Sequence, residues 1–220
     1  MKTLILAAGR GERMRPLTDQ TPKPLLPVAG EPLIVHTIKR LSEAGFSELV
    51  INLAHLGDQI EEYLQQGARW DVKIQYSREV EALETAGGII QALPLLGDDP
   101  FLVVNGDIWT DFDYSKLNNR LPNQVLAHLV LVNNPLHHPG GDFCLEGGRL
   151  TGNQGQRLTY SGIGVYSPDL FAGFRPGKRA LAPILHNAVS RALLSGERYG
   201  GQWRDIGTPE RLEELNQLLS

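Results

Sequence analysis

Thr3–Ala8 is an apolar run with no alternation of wet and dry positions, and it stops at Gly9-Arg10-Gly11. A short strand of this kind is buried on both faces, the situation of a parallel sheet covered by helices. The next hundred residues repeat the arrangement. Leu49–Leu53, Val72–Tyr76 and Phe101–Asn105 read as strands. Between them, Ile34, Ile38 and Leu41 line one face of a helix that Gly45 can end. Ile60, Tyr63 and Leu64 line a second, closing at Gly67, and Thr85–Leu93 forms a third, stopped by Pro94. Strands alternating with helices predict an α/β fold with a mixed, mostly parallel central sheet flanked by helices.

The second half is less regular. Val125–Val132 reads as another buried strand, followed by a Gly/Pro-rich loop, Asn133–Asp142. Phe143–Glu146 and Arg149–Leu150 flank the hairpin signal Gly147-Gly148. Ile163–Tyr166 is expected as a strand and Leu181–Leu194 as a helix. A final helix starts with Thr208 as N-cap and Pro209 in its first turn, with Leu212, Leu215 and Leu219 on one face. No repeat or long linker interrupts the chain, so residues 1–220 are expected to form a single domain.

Charge and cysteine content narrow the function. Twenty-one Lys+Arg against 25 Asp+Glu give a net charge of -4, with no basic cluster interleaved with aromatics, so nucleic acid is not an expected partner. No run approaches the ~20 apolar residues of a membrane helix. The apolar start is too short for a signal peptide and runs at once into charged residues. Cys144 is alone, which excludes a disulfide framework and a cysteine zinc site. A cytoplasmic protein, monomeric or weakly homo-oligomeric, is the expectation.

Leu6–Pro24 reads LAAGRGERMRPLTDQTPKP. Glycines at a strand's end let backbone N–H groups converge on an anion. Arg13 offers a planar fork for phosphate oxygens, and Lys23, stiffened by Pro22 and Pro24, a point charge. The string is neither a P-loop nor a dinucleotide fingerprint, whose third glycine is replaced by Met14. A triphosphate site is the expected use. Ligands on such a sheet bind beyond the carboxyl ends of the strands. Asp107 follows Phe101–Asn105 there, after Gly106, and Asp205 lies between a short strand and the last helix. A carboxylate beside a triphosphate suits Mg²⁺, which takes one or two carboxylates and leaves its other positions to water and phosphates.

The ordered set Leu6–Met14 with Lys23-Pro24, Thr85-Ala86-Gly87, Gly106-Asp107, Ser161–Tyr166 and Asp205–Thr208 resembles the sugar-1-phosphate nucleotidyltransferases over essentially the whole chain. The resemblance implies a Rossmann-like nucleotidyltransferase fold, Mg²⁺ on Asp107 and Asp205, and catalytic roles for these with Arg13 and Lys23. It further implies nucleotide contacts from Ala8, Gly9, Gly11, Glu12, Arg13 and Lys23. Gly87 is expected to leave room for the base, read by backbone groups near Ala82–Gly87, Thr85 among them. Asn105, Gly140, Gly141 and Asn153 are the candidates for the sugar side.

The compact length and the string Gly106–Asp113, GDIWTDFD, are most similar to the branch of the family that makes UDP-N-acetylmuramate from UTP and N-acetylmuramate 1-phosphate in bacterial cell-wall recycling. Mannose-1-phosphate guanylyltransferases and glucose-1-phosphate thymidylyl- or uridylyltransferases share the scaffold and stay open, as does a non-catalytic nucleotide-sensing subunit. Many relatives carry an E-K-P string whose lysine meets the sugar phosphate; Leu150–Arg157 holds no such lysine here. Glu84 reads as solvated, Trp70 and Trp109 as packing residues, and His137-His138 as neighbours facing different ways rather than a metal pair.

Overall fold

The computed structural model describes residues 1–118, 121–122, 124–152 and 155–219. Strand β1, Thr3–Leu6, lies between β4, Glu48–Leu53, and β6, Phe101–Asn105, parallel to both. Strand β5, Lys73–Arg78, adds in parallel to β4 and forms one edge of the sheet. Consecutive residues of β1 enter different cores: Leu4 packs in a cluster with Ala86, Ile89 and Val103, and Ile5 in one with Ile34, Ile38 and Ile51. Burial on both faces is the physical reason that this strand does not alternate. The covering helices are α1, Leu33–Glu43, α2, Gly57–Leu64, and α3, Glu84–Leu96.

Beyond β6 the sheet becomes mixed. Strand β11, Arg157–Tyr166, runs antiparallel to β6 and to β8, Ala127–Val132. Strand β12, Leu194–Arg198, follows in parallel to β8, and β9, Phe143–Glu146, pairs with β10, Arg149–Thr151, at the far edge. The nine strands of this sheet make it the mixed, mostly parallel kind expected. Two ribbons stand apart: β2, Pro27–Val28, with β3, Glu31–Pro32, and β7, Ile108–Thr110, with β13, Trp203–Asp205.

Two expected elements are corrected. The segment read as one helix, Leu181–Leu194, is helix α4, Ala182–Ser190, followed by a reversal at Ala192 (φ 55°) into β12. The apolar periodicity runs through this boundary, but pairing of Leu194 with Ala127 claims the end for the sheet. Pro94 does not stop α3; it sits in the last turn, and the helix ends where Gly97 donates to the Leu93 carbonyl at 2.9 Å. Helix α5, Pro209–Leu219, starts as expected, with the Leu212 N–H on the Thr208 carbonyl at 3.1 Å.

Candidate active site

The site forms where β1 and β6 end side by side. Gly106 N–H donates to the Leu6 carbonyl at 2.8 Å, so the chain after β6 crosses directly under the glycine loop. Gly11 adopts φ 66° before a short 3-10 turn, Glu12–Met14, and a Cβ there would meet Thr18 Cγ2 at 2.9 Å. Only glycine combines that dihedral with that contact. The turn turns Arg13 outward: it is exposed, and among the described residues it has no hydrogen bond or ion pair within the chain.

Lys23 comes to the same place from a second 3-10 turn, Lys23–Leu25, and its Nζ donates to Asp107 Oδ2 at 2.7 Å. Asp205 is tied to Asp107 through the small ribbon. Ile206 N–H donates to the Asp107 carbonyl at 2.8 Å, and Asp205 pairs with Ile108. The Asp205 carboxylate is held by Arg211 at Oδ2 and lies 2.9 Å from His137 Nε2 at Oδ1. Gly207 marks the meeting point. A Cβ there would stand 3.0 Å from Asp205 Oδ2, 3.1 Å from Arg211 Nη1 and 3.2 Å from Arg13 Nη2.

These elements enclose a cavity of 460 Å³, lined by Ala8, Gly9, Gly11, Glu12, Arg13, Lys23, Ala82, Thr85, Asn105, Asp107 and Gly207 among others. That volume falls in the range of about 300–1,000 Å³ typical of small-ligand sites. A family model for nucleotidyl transferase domains matches residues 2–133, which supply all but Gly207 of the cavity's lining residues.

The chain belongs to the nucleotidyl transferase family.

Its relatives are similar end to end. It is 53% identical, over 99% of its length and 98% of the relative's, to N-acetylmuramate alpha-1-phosphate uridylyltransferase of Neisseria meningitidis serogroup B. The protein of the same description from Caulobacter vibrioides is 32% identical, with 94% of this chain and 92% of that one covered. Among solved structures, a Bacillus anthracis protein assigned as a glucose-1-phosphate thymidylyltransferase superposes with a TM-score of 0.87 at 25% identity, covering 100% of this chain and 95% of its own.

Not every expected site residue of this nucleotidyltransferase lines the cavity. Gly87 is buried against another part of the chain: its N–H donates to the Arg179 carbonyl at 3.1 Å, and a Cβ would overlap the Gly177 carbonyl oxygen. The space it leaves is filled by the Gly177–Arg179 backbone rather than opened to a base. Gly140 is exposed, and Gly141, at φ 58°, packs on the Asn134 side chain and the Arg157 backbone; neither borders the cavity. Asn153 lies outside the described residues. His138 pairs with Asp142 at 3.0 Å while His137 turns to Asp205, so the two do face different ways. Trp70 and Trp109 are buried in the cores. Glu84, read as solvated, is exposed but lines the cavity and lies 3.8 Å from Lys178 Nζ.

Two further lining residues, Glu79 and Asn52, were also not foreseen. Glu79 is 7% exposed, and its carboxylate accepts from Asn52 Nδ2 at 2.6 Å and from the Leu83 N–H at 2.9 Å. Asn52 in turn accepts from the Ala7 N–H at 2.7 Å. This buried chain of bonds fastens the start of the glycine loop to the segment that leads into α3. The available signal was Asn52 itself, a polar residue inside the apolar run Leu49–Leu53. Arg211 and His137 were also missed as neighbours of Asp205, because partners from distant segments leave no spacing pattern.

Proposed function

We propose that this nucleotidyltransferase moves a uridylyl group from UTP to N-acetylmuramate 1-phosphate, giving UDP-N-acetylmuramate and pyrophosphate, in cell-wall sugar recycling. The observation that carries the reading is the full-length similarity to two N-acetylmuramate alpha-1-phosphate uridylyltransferases, coupled to a cavity rimmed by Arg13, Lys23 and Asp107. The acceptor phosphate is already anionic, so the reaction needs no general base. Its oxygen attacks the α-phosphorus, the bond to the β-phosphate breaks, and the electron pair leaves with pyrophosphate.

The chain's work is positioning and charge compensation. Backbone N–H groups of Ala8–Gly11 and the side chains of Arg13 and Lys23 would hold the triphosphate. Ala82 and Thr85 would border the nucleoside, with Glu79 and Asn52 fixing the segment that carries them. Asn105, in the same cavity wall, would serve the acceptor end in this reading, with Gly140, Gly141 and Asn153 kept as sugar-side candidates.

A divalent ion fits the donor set. Asp107, just before β7, and Asp205, at the end of β13, offer hard carboxylate oxygens of the kind a divalent ion takes. Mg²⁺ takes one or two carboxylates and keeps its other positions for phosphate and water. Held by Asp107 and Asp205, Mg²⁺ would neutralise charge on the reacting phosphates.

The test is pyrophosphate release from UTP, GTP, dTTP and CTP with a panel of sugar 1-phosphates. UTP with N-acetylmuramate 1-phosphate is expected to be the fastest pair. Release only with GTP and mannose 1-phosphate would replace this substrate assignment, and no release with any pair would remove the transferase activity.

A further inference from the structure

We infer that Arg211 is a substrate-binding residue for the phosphate of the acceptor, rather than only a brace for Asp205. This rests on the reaction proposed above. Around Gly207 the chain gathers two guanidinium groups, Arg13 and Arg211, with His137 Nε2 lying 3.2 Å from Arg211 Nη1. The carboxylate among the atoms nearest Gly207 is that of Asp205, whose Oδ2 takes Arg211. Arg13, Arg211 and Asp205 together leave the corner short of negative charge. A phosphate dianion would meet that deficit, and a guanidinium fork matches two of its oxygens at once.

The position separates Arg211 from the donor side. Arg13 and Lys23 line the nucleotide cavity, whereas Arg211, His137 and Asp205 stand outside its lining with Gly207 as the shared wall. His137 comes from the Asn133–Asp142 loop, so a separate segment of the chain meets Asp205 and Arg211 at this corner. An attacking phosphate must approach the α-phosphorus from the side opposite the leaving pyrophosphate, and this corner adjoins the cavity without being part of it. The Arg211 side chain is 20% exposed, so a phosphate can reach it from solvent.

Steady-state kinetics of R211Q and R211K, with each substrate varied at saturation of the other and of Mg²⁺, test the inference. R211Q should raise the KM for N-acetylmuramate 1-phosphate about tenfold or more, the loss of one charge-assisted hydrogen bond, and leave the KM for UTP within about twofold. R211K, with charge but no fork, should fall between R211Q and the parent chain. N-Acetylglucosamine 1-phosphate should suffer equally, since it carries the same phosphate. Calorimetry without metal gives a second readout: N-acetylmuramate 1-phosphate should bind R211Q more weakly than the parent chain. Mn²⁺ affinity, measured by electron paramagnetic resonance, should not fall.

An unchanged acceptor KM in both variants would overturn the inference, as would a rise in KM that follows a loss of Mn²⁺ affinity, the mark of a brace for Asp205. A loss confined to N-acetylmuramate 1-phosphate would also overturn it, because Arg211 would then read the lactyl carboxylate. Should R211Q fail to fold by its melting curve, R211K decides alone. Failure of the underlying reaction looks different: the parent chain itself would then be inactive with this sugar.

Discussion

Lys23 Nζ sits 2.7 Å from Asp107 Oδ2, joining a lysine side chain that is 8% exposed to a carboxylate that is 42% exposed. The pair links the end of the glycine loop to the end of β6 across 84 residues of sequence. A lysine this buried is held by its partner, because an unpaired charge there would be costly to desolvate. Its ammonium is therefore fixed at the mouth of the cavity before any phosphate arrives. Replacing Lys23 with Ala is expected to weaken UTP binding by about 1.5–3 kcal/mol, the range for a charged hydrogen bond. Isothermal titration calorimetry checks this, and unchanged affinity would remove Lys23 from the nucleotide site.

The β7–β13 ribbon brings the backbones of Asp107 and Asp205 together, with Asp205 opposite Ile108 and the Ile206 N–H on the Asp107 carbonyl. Asp107→Asn and Asp205→Asn are each expected to abolish turnover at millimolar Mg²⁺ with circular dichroism unchanged. Chelation of divalent ions should do the same to the parent chain, and added Mg²⁺ should restore it. Near-parental turnover in either variant would show that its residue holds no metal.

The parallel half of the sheet was readable because burial on both faces writes an unbroken apolar run, and Leu4 and Ile5 show the two cores that cause it. β12 was not, since Leu181–Leu194 keeps helical periodicity past the point where pairing with β8 takes over. Arg13 and Asp107 stood out as charges close to glycines at strand ends, and Lys23 as a lysine between two prolines. Glu79 and Arg211 did not, because each acts through partners that only the folded chain supplies. Gly87 illustrates the opposite case. A glycine in a ligand-binding string was read as space for a ligand, and the space is used by Gly177–Arg179.

Gly87→Ala follows from that packing. The added Cβ would meet Gly177 backbone and, at 2.9 Å, Leu83 Cβ, so the start of α3 must shift. A cost of about 1–3 kcal/mol is expected for such overpacking. At roughly 2–4 °C per kcal/mol for a chain of this size, the melting temperature should fall by several degrees. An unchanged melting curve would mean that the Gly177–Arg179 segment yields freely.

Glu79→Ala removes the acceptor of the Leu83 N–H and of Asn52 Nδ2. Buried donors left without partners cost about 1–3 kcal/mol. Urea titration should show that loss, accompanied by a higher KM for UTP as the Ala82–Thr85 segment loosens. Full stability and an unaltered KM would show that the buried network has no part in holding the site.

The measurement closest to the central claim is the ratio of kcat/KM for N-acetylmuramate 1-phosphate over N-acetylglucosamine 1-phosphate, with UTP and Mg²⁺ held saturating. The two acceptors differ by the lactyl carboxylate, and recognition of that group by one charged hydrogen bond is worth about 1.5–3 kcal/mol. A ratio of roughly 10 to 150 in favour of N-acetylmuramate 1-phosphate is therefore expected. A ratio near one, or faster turnover of mannose 1-phosphate with GTP, would contradict the assignment.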